Sequence, residues 1–438
     1  MKILSQYRNL ILIILSWVVV GMYMGPVIYI YLPITLFVMR SRGQYMEMLL
    51  GFLLMLILSD SRVERLHFAA NAKEIYIILL GIFLFTDRKI FTVLSRFYLS
   101  FIPFFIVAIL CVFNSPSENS FNAIEKTVSY ILLLFVVPNY VQQAYITKGR
   151  EFYKILIYLG ATILLIGFVF KFLNPAMVTR EARYEGLFGN PNGLGIFSLL
   201  FFLLVAVVND LNPNLFDRRE KTVIYAAIII SIVLSGSRGS LFGILIYFLF
   251  SSFYKISPFL GSFVVILFIA GYSYISSNLV GVISSVGLQD YLRVSTLEAG
   301  SGRFIAWQFS WKHIQESFWL GRGFEFTNYL FDIKENVIYL QALGHQGNAH
   351  NSYITLWLDT GLIGVLAYIF AFAGSFIKAA RKTRLALPIM YASLFSSFFE
   401  SWLTASLNPF TIVLFIVLSI LTSDVIIPAK AKIAVPVQ

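Results

Sequence analysis

The sequence predicts an all-α, polytopic membrane protein with roughly 12–14 transmembrane helices and one large loop. Three observations predict it. Of the 438 residues, 58% are hydrophobic and only 13% are charged, against about 25% charged in soluble domains. The apolar runs have helical length, not the ~10-residue alternation of an outer-membrane barrel. The 43 Phe and 24 Tyr suit lipid-facing surfaces and interfacial belts. Helices satisfy their own backbone hydrogen bonds, so such runs can cross lipid.

The runs fall near 10–24, 26–39, 44–59, 74–86, 97–113, 123–141, 152–173, 193–209, 222–235, 240–254, 258–276, 353–377, 386–404 and 407–424. Residues 10–39 contain Pro26 and read as two short helices or one broken one. The run at 10–24 lacks a small-residue cleavage site and is read as the first span. Cys111 is the single cysteine and lies in an apolar run, so no disulfide framework or cysteine metal site is expected.

Orientation follows from Lys and Arg in the short loops. With the N-terminus inside, most basic residues, including Arg40, Arg88, Lys148, Arg218 and Lys378, fall in inner segments. The net charge of +11 is thus spread over loops and does not indicate nucleic acid. Both termini come out cytoplasmic. The chain divides into N-terminal spans (1–276), a large outer-face loop (277–350) and C-terminal spans with a short cytoplasmic tail (351–438). With no sizeable cytoplasmic domain, any chemistry belongs in the membrane or on the outer face.

Polar residues on that outer face depart from the positive-inside pattern. Arg183 lies in TREARYEGLFGNPNGLG, Arg238 in LSGSRGS, Arg303 in GSGRFIAW and Arg322 in LGRGFE. Guanidinium groups match phosphate oxygens bidentately and stay charged at any working pH, so one reading is an outer-face anion site. The other is headgroup contact by snorkelling side chains. Ser235, Gly236, Ser237, Gly239 and Ser240 around Arg238 permit close approach of a ligand or helix.

His350 and Asn351 stand where the large loop meets the next span. A neutral imidazole there can act as a base toward a hydroxyl or orient it; alternatively the segment is a helix start capped by Asn351 or Ser352. His345 competes for the functional role. Glu400 lies inside an apolar run, where a carboxylate wants a partner, and an outer-face arginine is the expected one. Asn190, in GNPNG, reads first as part of a turn that starts a helix, with Asn192 as a cap and a ligand role for Asn190 second. Phe304, Trp307, Trp311 and Ile314 fall at spacings of three and four, predicting a helix over 302–317 that lies on the membrane or on other spans through that face. No Asp-x-Asp pair, Walker A loop or His-Glu-x-x-His motif is present.

Five motifs in order resemble the O-antigen ligase and polymerase family of bacterial envelope biogenesis. They are RYEGLFGNPN (Arg183 to Asn192), SGSRG (Ser235 to Gly239), GSGRFIAW (Gly300 to Trp307), LGRG (Leu320 to Gly323), and His350-Asn351 with GLIG (Gly361 to Gly364). The resemblance covers about residues 150–425. It implies a membrane-embedded, GT-C-like helical fold on the inner membrane and a metal-independent, inverting glycosyltransferase without a cofactor. The donor would be a glycan on undecaprenyl diphosphate at the outer face; the acceptor would be another glycan or lipid A core. By motif, Arg238 and Arg303 would bind the diphosphate, His350 would activate the acceptor hydroxyl, and Arg183 would contribute basic charge. Arg322, Asn351, Glu400 and Asn190 join the expected substrate-binding set. Ligases of the family often carry an acid after the His-Asn pair; Ser352 stands there instead, which favours a polymerase. A polysaccharide flippase or a non-catalytic assembly scaffold are the alternatives. The first should place charges deep within spans and show repeated halves.

Overall fold

The computed structural model describes residues 8–180, 182–271 and 302–427. These residues are helical almost throughout; strand is confined to a two-residue hairpin, Thr179–Arg180 (β1) against Arg183–Tyr184 (β2). The first helices are α1 (Arg8–Met24) and α2 (Ile28–Ser41), then α3 (Tyr45–Ser59), α4 (Phe68–Thr86), α5 (Ile102–Val112), α6 (Ser120–Lys148) and α7 (Arg150–Leu173). After the hairpin come α8 (Pro191–Leu211), α9 (Arg218–Ser235), α10 (Arg238–Tyr254) and α11 (Pro258–Ala270). Beyond residue 301 follow α12 (Arg303–Glu316), α13 (Phe326–Asp332), α14 (Lys334–Ala342), α15 (Ser352–Ala380), α16 (Ala386–Ser396) and α17 (Pro409–Thr422). Among the described residues, six helices are long and apolar enough to cross a bilayer and five apolar ones are shorter. Residues 272–301, which carry the start of the expected 277–350 loop, lie outside the described residues.

Local chemistry sets the boundaries. Gly25-Pro26-Val27 makes a 3-10 turn between α1 and α2, because proline removes a backbone donor. Asp217 and Glu220 form a reciprocal capping box at the start of α9, and Gly236 ends that helix in the left-handed region at φ +59°. Asn408 caps α17, with Pro409 as its first residue.

Burial distinguishes the layers. Every residue of α17 from Pro409 to Leu421 is buried, and α8 and α3 are buried over most of their length. Helices apolar all round belong in the interior of a bundle, and α17 packs on α8, α6 and α3. The α1–α2 pair instead exposes Ile11, Leu12, Leu15 and Val19, an apolar surface suited to lipid.

Two expectations are corrected. The apolar run 386–404 is not one helix: α16 stops at Ser396, and 397–408 is an irregular segment of turns. Seryl and threonyl hydroxyls there bond backbone and side chains instead of extending a helix, as Ser397 Oγ does to the Leu394 carbonyl. In α12, the buried face is Ala306, Phe309, Ser310 and Ile314. Phe304 and Trp311 are exposed, so packing selects a stripe rotated from the one the aromatic spacing suggested.

Candidate active site

Four helix N-termini meet at one end of the bundle: those of α8, α10, α12 and α15. Gly195 of α8 lies so close to α10 that a Cβ there would sit 2.3 Å from Ser237 Cβ, and a Cβ on Gly239 would meet Phe399 at 3.3 Å. Arg303 is the first residue of α12 and Ser352 the first of α15. Each N-terminus carries the positive end of a helix dipole. Their convergence favours negative charge at this end of the molecule.

Glu400 stands at the centre, in the irregular segment 397–408. Its Oε1 accepts from Asn192 Nδ2 at 2.7 Å and from an Arg303 terminal nitrogen at 3.1 Å. Its Oε2 lies 3.0 Å from His350 Nδ1. Burial opposes the carboxylate charge, but the contacts with His350, Arg303 and Asn192 outweigh it and hold the carboxyl below its ordinary range. With Glu400 ionised, His350 Nδ1 carries the proton, and a neutral ring then presents Nε2 as a lone pair. The His350 side chain is 31% exposed, so the ring is open to a reactant.

The chain around His350 is bent to achieve this. His350 has φ +46°, and Gly344 and Gly347 are also left-handed; such a non-glycine residue stores backbone strain. A Cβ on Gly347 would sit 3.1 Å from His350 Nε2, so glycine keeps that nitrogen uncrowded. The Asn348 side chain accepts the His350 N–H at 2.9 Å, and Trp307 Nε1 donates to the Ala349 carbonyl at 2.9 Å. Asn351 is the N-cap of α15, accepting from Tyr353 and Ile354 N–H, while its own N–H donates to Ser401 Oγ at 3.0 Å. Ser352 Oγ donates to the Glu400 carbonyl at 2.7 Å and accepts from the Trp402 and Leu403 N–H groups. These bonds dock the start of α15 on the segment that carries Glu400.

On the other side, Arg183 Nε donates to the Ser235 carbonyl at 2.8 Å, and a terminal nitrogen donates to Asn192 Oδ1 at 2.7 Å. A chain of contacts therefore runs Arg183–Asn192–Glu400–His350. Asn190, not Asn192, caps α8, its side chain accepting from Gly193 N–H at 2.8 Å. Sequence reasoning assigned the cap to Asn192 and missed its bridge to Glu400; two asparagines flanking a proline look alike until the helix start is fixed. Arg238 opens α10 after Ser237, and the next residue, Gly239, approaches Phe399, whose ring Arg303 overlies at 5.9 Å.

Arg322 is elsewhere. Its guanidinium pairs with Glu316 at 3.0 Å and lies over Phe326, and neither belongs to the Glu400 group. The LGRG and GLIG motifs instead meet through backbone. The N–H groups of Arg322 and Gly323 donate to Leu358 and Asp359 carbonyls, and those of Leu362 and Ile363 donate to Phe318 and Trp319 carbonyls. This pairing occupies a break in α15 at Gly361, with φ +70° and ψ 178°. Asp359 accepts from the N–H and hydroxyl of Thr327, tying down the start of α13. His345 is buried, with Nε2 3.1 Å from the Asn348 carbonyl; burial, and then the nearby His350, lower its pKa.

Residues 223–369 match a family model described as O-antigen ligase. The chain matches no curated protein. The matched stretch holds Arg238, Arg303 and His350, while Arg183, Asn192 and Glu400 flank it in sequence and close on it in space. The match spans about a third of the chain and, on a helical multi-span scaffold, supports an assignment to the O-antigen ligase/polymerase family.

Proposed function

We propose that this membrane enzyme transfers a glycan from an undecaprenyl-diphosphate carrier, at the outer face of the bacterial cytoplasmic membrane, to a hydroxyl of a second glycan. The observation that carries the reading is the joint engagement of Glu400 by Arg303 and His350. It sets a general base beside a cationic group at the end where helix N-termini converge.

In this mechanism the acceptor oxygen attacks the anomeric carbon from the face opposite the diphosphate. The bond from that carbon to the phosphate oxygen breaks, and undecaprenyl diphosphate leaves with the electron pair. The acceptor proton passes to His350 Nε2, and Glu400 stabilises the imidazolium through Nδ1–H. Arg238 and Arg303, with the helix N-termini, offset the charge that grows on the diphosphate; fixed charges of this kind supply much of a typical rate enhancement. One displacement by one hydroxyl inverts the anomeric centre, and arginines fill the role that a metal plays in other diphosphate chemistry. Ser352, where an acid follows the His-Asn pair in many ligases of the family, favours the polymerase over transfer to lipid A core.

A transfer assay tests the reading. Purified protein in nanodiscs is given a synthetic undecaprenyl-diphosphate glycan and excess chelator, and compared with Arg238→Ala, Arg303→Ala and His350→Ala. Chelator-resistant product that vanishes in folded variants supports the mechanism. A ladder identifies a polymerase, and single transfer to added core a ligase. Wild-type turnover in the variants would remove these residues from the site; no product from wild type with matched donor and acceptor would indicate a flippase or scaffold.

A further inference from the structure

The outer end of α3 reaches across to the segment that carries Arg183 and Asn192, and it does so through charge. Glu185 is fully buried, and its Oε1 forms an ion pair with an Arg62 terminal nitrogen at 2.8 Å. Among the described residues no further hydrogen-bond partner reaches either Glu185 oxygen. The same Arg62 nitrogen donates to the carbonyls of Ala176 and Thr179, at 3.2 and 3.3 Å. Two residues before Arg62, Asp60 Oδ2 accepts the Gly189 N–H at 3.2 Å. The backbones come so close that a Cβ on Gly189 would sit 2.5 Å from the Asp60 carbonyl oxygen. One short stretch, Asp60 to Arg62, thus grips the segment at 185 and at 189, with Arg183 just before the first grip and Asn192 just after the second.

Stability does not account for this arrangement. The Arg62 side chain is 44% exposed and Glu185 not at all, so the attraction must first offset the cost of taking the carboxylate out of water. Burying a carboxylate costs more than packing an apolar side chain of similar volume; burial indeed raises the Glu185 pKa, with Arg62 and Arg180 opposing. What the pair supplies is direction: a buried carboxylate with one cationic partner admits few registers of the loop.

We propose that Arg62 and Glu185, with Asp60, are positioning residues that fix the Arg183–Asn192 segment in register with Glu400. The proposal rests on the glycosyl-transfer reading for its catalytic consequence, but not for its structural one. Loss of the brace lets Asn192 drift from Glu400 Oε1, and misplacement of a catalytic group by about 1 Å costs on the order of a hundredfold in rate.

The test uses the full-length protein in nanodiscs with Arg62→Lys, Glu185→Gln, Arg62→Ala and the double variant Arg62→Ala/Glu185→Leu. Backbone hydrogen exchange over residues 179–192 is compared with exchange over 303–316, and kcat and KM are measured for the lipid-linked donor. The expected result is faster exchange confined to 179–192, with kcat down about ten- to a hundredfold and KM nearly unchanged. The double variant removes the unpaired buried carboxyl, so its melting temperature should recover while kcat stays low. Unchanged exchange overturns the brace. Wild-type kcat despite loosened exchange overturns its positioning role, as does recovery of kcat together with stability in the double variant. Should wild type transfer nothing, the glycosyl-transfer reading fails and the exchange result alone decides the brace.

Discussion

His350 Nδ1 and Glu400 Oε2 lie 3.0 Å apart, while Arg303 and Asn192 share the other oxygen of the same carboxylate. The two halves of Glu400 therefore do different work: one orients the imidazole, and the other ties it to the arginine end of the site. Glu400→Gln keeps the shape but removes the charge and, with one amide face donating, cannot accept equally on both sides. We expect kcat to fall about 10²- to 10⁴-fold, the span usual for losing an oriented base and its carboxylate. The transfer assay checks this; turnover within a few-fold of wild type would detach Glu400 from the chemistry.

Asn192→Ala breaks the bridge between Arg183 and Glu400 without adding charge. A hydrogen bond to a charged group contributes about 1.5–3 kcal/mol, which corresponds to roughly 10- to 100-fold in rate if it acts in the transition state. Asn192→Asp should be worse, because it sets a second carboxylate against Glu400 Oε1. Equal rates for the two variants would show that the bridge only packs the segment.

The spans were legible because apolar runs of helical length have few other uses, and the charged outliers Arg183, Arg303 and Glu400 stood out against them. Asn192 was not legible: its role depends on which asparagine starts α8, a matter settled by backbone φ/ψ. Glu400 was expected within a helix because Phe398, Phe399, Trp402 and Leu403 keep the run apolar; hydropathy cannot register that Ser397 and Ser401 turn the backbone there. Arg322 was grouped with the other arginines by motif order; its side chain pairs with Glu316, while the LGRG backbone bonds to the break in α15. Gly321 admits the backbone contact with 358–363 that a side chain would block, since a Cβ there would fall 2.3 Å from Asp359, while Gly323 takes a left-handed φ of +85° against Ala123.

Stability should fall with acid in two steps. The pKa of His345 is lowered in the folded protein, first by burial and then by His350. The unfolded chain therefore binds its proton more readily, and stability declines as pH drops below about 6.5. The carboxyl of Glu400 is also held low, so its contribution is present above about 4.5 and is lost as pH falls through its folded value. Asp60, raised by burial from 3.8 to about 6, acts in the opposite sense between those two values. The comparison must therefore be between variants: His345→Gln should flatten the melting-temperature profile just below pH 6.5, and Glu400→Gln only below about 4.5. Profiles parallel to wild type in both windows would contradict the assigned couplings.

Gly361→Ala tests the break in α15. At φ +70° and ψ 178° the backbone occupies a region that is essentially restricted to glycine, at a cost of about 1–3 kcal/mol for other residues. A Cβ there would also lie 2.4 Å from the Trp319 carbonyl oxygen, and that backbone has little freedom, because its carbonyl accepts from Ile363 N–H and the adjoining Phe318 carbonyl from Leu362 N–H. The two penalties act together, so the variant should lose at least about 3 kcal/mol and yield little folded protein. Gly374→Ala is the control: a Cβ there meets nothing within 4 Å, and the change favours helix by about 1 kcal/mol. Melting curves of both variants in detergent measure the difference. If Gly361→Ala melts with wild type, α15 can straighten, and the contact between 318–323 and 358–363 is not what holds the outer helices in place beside His350.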